Sequence, residues 1–225
     1  NGLDKFDRES QKFTNYQFYT RTPVIYEDSN EYLWYGTNVG LFKLDPATKI
    51  LTNFKNQPED QKSLSGNSIT SIIEDNKGDL WIGTSDGLNR FDRESENFSR
   101  FFHDPVNPQS LSSNIVIQLL QDRNVRIWVA TLDCLNLYNT DQDIFYLIKH
   151  VPSIPESLSD NLVANLYQDQ SGVIWIGTLT GGLNKFSESY NRFHLFPQDF
   201  VQISHQESNP DETIRSGIQD SLLDS

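Results

Sequence analysis

The sequence predicts an all-β protein, a β-propeller of four-stranded antiparallel blades. Three observations carry this. The four tryptophans Trp34, Trp81, Trp128 and Trp175 are each 47 residues apart. Around them stand the near-copies LWYGT, LWIGT, IWVAT and IWIGT. Between them lie short runs rich in Ile, Val, Phe and Thr, broken by Asp, Asn and Gly, with no competing helical period. Four strands per roughly 40–50 residues is the spacing of propeller blades.

Each element follows from its residues. In the second unit the strands are expected at Ile69–Glu74, Leu80–Thr84, Leu88–Asp92 and Phe98–Phe102. An Asp six residues before each Trp (Asp28, Asp75, Asp122, Asp169) opens the first turn, where its carboxylate can bond the following backbone. Gly78 and Gly172 supply positive φ in two of these turns. Glu31 and Val125 replace that Gly in the other two, so those turns should differ. The third strand begins GLFKL, GLNRF, CLNLY or GLNKF, and GLDKF opens the chain at Gly2. Fourth strands are marked by Phe13 with Tyr16, Leu51 with Phe54, Phe98 with Phe101, Phe145 with Ile148 and Phe193 with Phe196. SLSGN, SLSSN and SLSDN then recur from Ser63, Ser110 and Ser157. The Gly of the WxGT strand should allow neighbouring backbones to approach, with Ala130 as the next smallest choice. The Trp residues should be core, packed between blades.

The propeller segment is expected over residues 1–220, with repeats near 22–54, 69–101, 115–148 and 162–196. Partial blades are expected at 1–18 and 213–220, and 221–225 is a tail. Both ends fall inside repeats. An excerpt from a longer propeller is the preferred reading; closure through an incomplete fifth blade is the alternative, which leaves an unpaired edge.

A net charge of −13 argues against nucleic acid and anionic membranes as partners. No stretch approaches ~18 apolar residues, so no membrane span is expected. The single cysteine, Cys134, excludes an internal disulfide and sits where other units have Gly. Catalytic motifs are missing: there is no GxSxG, HExxH, CxxC, P-loop or dinucleotide fingerprint. No catalytic residue, metal site or cofactor is therefore assigned. For the Asp column, turn capping is preferred over calcium, since EF-hand spacing is absent. His103 and His150 share one column in adjacent units and are the candidate ligand contacts; solvated loop histidines are the plainer reading. Asn56 and Gln198 stand at the equivalent places. Ser71, Gln118 and Asn165, with Val24 in the first unit, form a polar column inside the first strand. They could line a channel, but satisfying backbone groups between blades is preferred.

WxGT followed by GLN-[RK]-F, with SLSxN upstream, resembles the two-component regulator propeller repeat over roughly residues 1–200. The chain departs from that pattern at Tyr35, Phe42, Ala130 and Cys134, and its Asn15-to-Pro23 link lacks SLSxN. The resemblance implies the periplasmic or extracellular portion of an inner-membrane receptor, membrane-anchored and dimeric, with a histidine kinase or diguanylate cyclase elsewhere. It implies a non-catalytic sensor for a small molecule or oligosaccharide, a glycan fragment first. The ligand would sit on the loops 56–68, 103–114 and 150–161. One alternative is a protein-interaction or dimerisation scaffold, for which Tyr19, Tyr146 and Tyr190 are candidate exposed aromatics. A further alternative is a propeller lyase or hydrolase, for which no convergent His, carboxylate or Tyr set can be constructed.

Overall fold

The computed structural model describes residues 2–8, 10–17, 24–187 and 192–195. The chain divides into two units, Asn1–Leu195 and Phe196–Ser225, and every described residue belongs to the first. The expected strand at 213–220 and the 221–225 tail lie outside the described residues.

Strands β1 (Gly2–Asp7) and β2 (Lys12–Gln17) form a hairpin. Four sheets follow, each a four-stranded antiparallel meander in chain order. The first contains β3 (Val24–Glu27), β4 (Leu33–Gly36), β5 (Leu41–Leu44) and β6 (Leu51–Phe54). The second contains β7 (Ile69–Glu74), β8 (Leu80–Thr84), β9 (Gly87–Asp92) and β10 (Asn97–Phe101). The third runs through β11 (Val116–Gln121), β12 (Ile127–Thr131), β13 (Leu135–Asn139) and β14 (Ile144–Ile148). The fourth runs through β15 (Val163–Gln168), β16 (Ile174–Thr178), β17 (Leu183–Ser187) and β18 (Arg192–Leu195). No helix occurs among the described residues.

The core lies between sheets. Trp34 and Leu41 of the first sheet pack on Ile69, Ile72, Leu80, Ile82 and Phe91 of the second. Trp81 and Leu88 pack in the same way on Val116, Leu119, Val129 and Tyr138. Trp128, Ala130 and Leu135 pack on Val163, Leu166, Ile176 and Phe186. Each of these indoles meets an aromatic ring of the following sheet: Trp34 with Phe91 at 5.2 Å, Trp81 with Tyr138 at 4.8 Å, Trp128 with Phe186 at 5.4 Å. Edge-on and tilted pairs at such distances suit the ring quadrupoles. The tryptophan period is therefore a period of inter-sheet contacts.

Two expectations need correction. Glycine in the WxGT strand of the first two sheets makes room for a side chain, where approaching backbone was expected. A Cβ on Gly36 would lie 2.5 Å from Ile69 Cγ2, and one on Gly83 would lie 2.6 Å from Val116 Cγ1. Ile69 and Val116 open the first strands of the following sheets, and they occupy the space a side chain would need. The first-to-second-strand turns do not differ where Glu31 and Val125 replace glycine. Both adopt positive φ, 66° and 63°, beside 85° at Gly78 and 91° at Gly172. All four donate their N–H to the carbonyl of the preceding Asp at 2.9–3.0 Å. The Asp hydrogen bonds fix the turn, and the backbone of Glu31 and Val125 is driven into the left-handed region.

Candidate functional site

Antiparallel meanders place the strand 2-to-3 turns and the inter-sheet connections at one rim. The strand 1-to-2 and 3-to-4 turns form the other rim. The candidate loops 56–68, 103–114 and 150–161 belong to the first rim, and their polar groups are largely committed internally. The backbone N–H of His103 donates to Asn114 Oδ1 at 2.7 Å, and that of His150 to Asn161 Oδ1 at 2.6 Å. His103 Nδ1 lies 2.8 Å from the Leu111 carbonyl, and His150 Nδ1 2.5 Å from the Leu158 carbonyl. A carbonyl only accepts, so Nδ1 carries the hydrogen in both rings. Asn56 braces its loop in the same manner, its N–H donating to Asn67 Oδ1 and its Nδ2 to the Leu64 carbonyl. Each imidazole thus braces the loop of its own sheet. That brace seats Leu64, Leu111 and Leu158, the central leucines of SLSxN, which are 0% exposed.

A buried Ser–Thr–Asn cluster recurs beneath these loops. Asn89 Oδ1 accepts the Ser65 N–H at 2.8 Å, and Asn89 Nδ2 donates to Ser65 Oγ at 2.8 Å. Ser65 Oγ is 3.1 Å from Thr84 Oγ1, which donates to the Gly87 carbonyl. Ser112, Thr131 and Asn136 repeat this arrangement, as do Ser159, Thr178 and Asn184. No base stands among them to take a hydroxyl proton, so the cluster is frame, not a nucleophilic site. The role of these Asn residues was not anticipated from the sequence, although they recur as the N of GLN. Phe42 holds that place in the first sheet and stacks on Tyr35, ring centres 5.0 Å apart and planes 1° apart. The link before that sheet lacks SLSxN. The Tyr35, Phe42 and missing-SLSxN departures fall together: the Asn15-to-Pro23 link before the first sheet offers no serine for an Asn to hold.

The Asp column is consumed in the same way. In every copy Oδ1 accepts backbone N–H groups of the turn, for example Lys77 and Asp79 on Asp75 at 2.9 and 3.0 Å. Oδ2 accepts the indole N–H of the Trp six residues on, at 2.7, 2.9, 2.7 and 2.8 Å along the chain. Both oxygens are engaged in tying the turn to the Trp of the second strand. Cys134 is fully buried, and burial pushes its thiol pKa up, away from the reactive thiolate.

The opposite rim is less occupied. Two crevices open there at successive sheet boundaries. One, of about 430 Å³, lies between the first and second sheets beside Asn30, Gly78, Asp79, Asp92 and Glu94. Arg93 closes its floor, pairing with Asp28 Oδ2 at 2.7 Å and Glu74 Oε1 at 2.8 Å and donating to the Gly78 carbonyl. The other, of about 410 Å³, lies between the second and third sheets beside Asn124, Val125, Asn139, Asp141 and Tyr146. Lys77 borders both. Tyr146 is 46% exposed; Tyr19 and Tyr190 lie outside the described residues.

Stacked four-stranded sheets whose repeated polar residues form the frame define a β-propeller segment. Two stretches of the chain, residues 63–86 and 157–180, match the family model described as the two component regulator propeller. No curated protein matches the chain. Among solved structures it is similar to the extracellular domain assigned to a hybrid two component system of B. thetaiotaomicron. That match has a TM-score of 0.68 and 24% identity, and covers 79% of this chain and 25% of that one. The chain thus spans a quarter of that domain's length. It is also similar to virginiamycin B lyase from Staphylococcus aureus, with a TM-score of 0.57 and 11% identity over 83% of this chain and 63% of that one. At these identities the likenesses show the fold.

Proposed function

We propose that this segment is a non-catalytic recognition module in the extracytoplasmic part of a bacterial two-component receptor, and that its ligand is an oligosaccharide fragment. One observation carries the reading. The residues that recur between repeats are spent on the frame: Asp to Trp, Asn to Ser, loop Leu to core. Exposed residues at the rims, such as Val125 and Tyr146, differ between repeats. A rigid repeated scaffold with varied rims suits recognition. A repeat shared with two-component regulators and a fold shared with a receptor's extracellular domain support the same reading. The parent protein is expected to be membrane-anchored and dimeric, with its output domain elsewhere.

Isothermal titration calorimetry on the full chain tests this, using oligosaccharides of different sugar and linkage. The expected result is saturable heat with one class and none with the others. No heat with any of them, together with concentration-dependent self-association, would favour the scaffold reading instead.

A further inference from the structure

We propose that the crevice between the second and third sheets is the ligand site and that it takes a sugar ring. This rests on the oligosaccharide reading above and gives it a place in the fold.

The crevice holds about 410 Å³, within the range of small-ligand clefts. Its rim carries two features that the frame does not require. Val125 is a β-branched residue at φ 63°, where Gly78 and Gly172 stand in the neighbouring sheets. Its side chain is 43% exposed, so the strained backbone is not repaid by burial in the core. Tyr146 presents a ring that is 46% exposed. Its hydroxyl donates to Gln142 Oε1 at 3.1 Å and accepts from Asn139 Nδ2 at 3.4 Å, which holds the ring in place. The same column carries Thr52 in the first sheet and Ser99 in the second.

Around this apolar pair stand the Asn124 amide, the Lys77 ammonium and the Asp141 carboxylate, all exposed. Donors and acceptors of both kinds beside an aromatic face match a ring that has C–H faces and a hydroxyl edge. The crevice at the preceding boundary is the internal control. It has similar volume and the same place in the repeat, but Gly78 replaces Val125 and no aromatic residue lines it. The two differ in the apolar contacts, and these locate recognition at the second boundary.

The test is an NMR titration of the labelled full chain with cellobiose, maltose, xylobiose and mannobiose in turn. At least one is expected to shift the side-chain amides of Asn124 and Asn139. Tyr146→Ala and Val125→Gly are each expected to weaken that binding about tenfold while leaving the amide spectrum folded. Equal binding by wild type and Tyr146→Ala, or shifts confined to the loops 56–68, 103–114 and 150–161, would overturn the crevice and leave the oligosaccharide reading standing. If none of the four sugars shifts any resonance, the crevice assignment falls; the oligosaccharide reading falls with it only if the calorimetric titrations are silent as well.

Discussion

The Gln118 side chain grips the backbone of Leu166 across a sheet boundary: Oε1 accepts the Leu166 N–H at 2.7 Å and Nε2 donates to its carbonyl at 3.0 Å. One boundary earlier, Ser71 Oγ accepts the Leu119 N–H at 3.0 Å. Both side chains stand at bulges, where β7 and β11 lose one ladder pairing to β8 and β12. The polar column of the first strand therefore stitches the second sheet to the third and the third to the fourth. Gln118→Leu removes two bonds from inner-strand groups and is expected to cost about 1–3 kcal/mol; Ser71→Ala removes one and should cost less. Urea unfolding reads both, and a Gln118→Leu midpoint equal to wild type would show that water replaces the stitch.

The packing rule at Gly83 gives a second prediction. A methyl group there would meet Val116 Cγ1 at 2.6 Å and Thr70 Oγ1 at 3.0 Å. Gly83→Ala should destabilise by about 1–3 kcal/mol through overpacking. Val116→Ala alone should cost a similar amount through a cavity. Because the two changes fill and empty the same space, the double variant should be more stable than their sum predicts. Simple additivity in a double-mutant cycle would mean that Val116 is not what excludes the side chain.

How much of this was legible follows from the same residues. Sheet order and the Trp core could be read because a 47-residue period repeats the same packing problem, and each solution leaves the same residue behind. The polar column was legible as structural because a lone polar residue among Ile and Leu needs a backbone partner. The Asn89 cluster was not legible: its partner Ser65 lies on a loop 24 residues earlier, and nothing local announces the pairing. The Val125 turn was misread because Gly looked required, whereas the Asp122 hydrogen bonds to Asn124 and Arg126 impose the turn on whatever residue follows. The crevices depend on where two turns from different sheets meet, which a single-chain pattern does not encode.

Strain at Val125 yields a third prediction. A non-Gly residue in the left-handed region costs about 1–3 kcal/mol, while Gly gives back about 0.5–1 kcal/mol in unfolded-chain entropy. Val125→Gly should therefore stabilise the fold by up to about 1 kcal/mol, and Gly172→Val, at φ 91°, should destabilise it by about 1–2 kcal/mol. Thermal unfolding checks the pair. A lower midpoint for Val125→Gly would show that Val125 contributes packing not apparent from its exposure.

The histidine column gives a fourth. If His103 serves to bridge its loop, Asn should replace it, since Asn56 makes the equivalent bond to Leu64. His103→Asn is expected to be near neutral and His103→Leu to lose about 0.5–1.5 kcal/mol. Limited proteolysis within 103–110 should quicken for the Leu variant alone. If both variants are equally labile, the ring does more than brace the loop.

Asp169 makes the fold sensitive to acid. Hydrogen bonds from the Ser171 hydroxyl, then the Trp175 indole, hold its pKa down from 3.8 to about 2. A carboxyl that is more acidic in the folded state stabilises the fold while it is ionised. Its contribution is complete above the unfolded value and is lost as the pH falls through the folded one. Asp169→Asn presents an N–H or a weaker acceptor to the indole and should lower the urea midpoint at neutral pH. The gap to wild type should hold down to about pH 4, narrow between pH 3.8 and about 2, and close below that. Asp45, Asp92 and Asp160 are also held below the ordinary value, so both proteins will lose stability in acid. The difference between the two curves isolates Asp169. A gap of constant size across that window would mean that Asn weakens the turn through its shape, with the charge on Asp169 playing no part in tying the turn to Trp175.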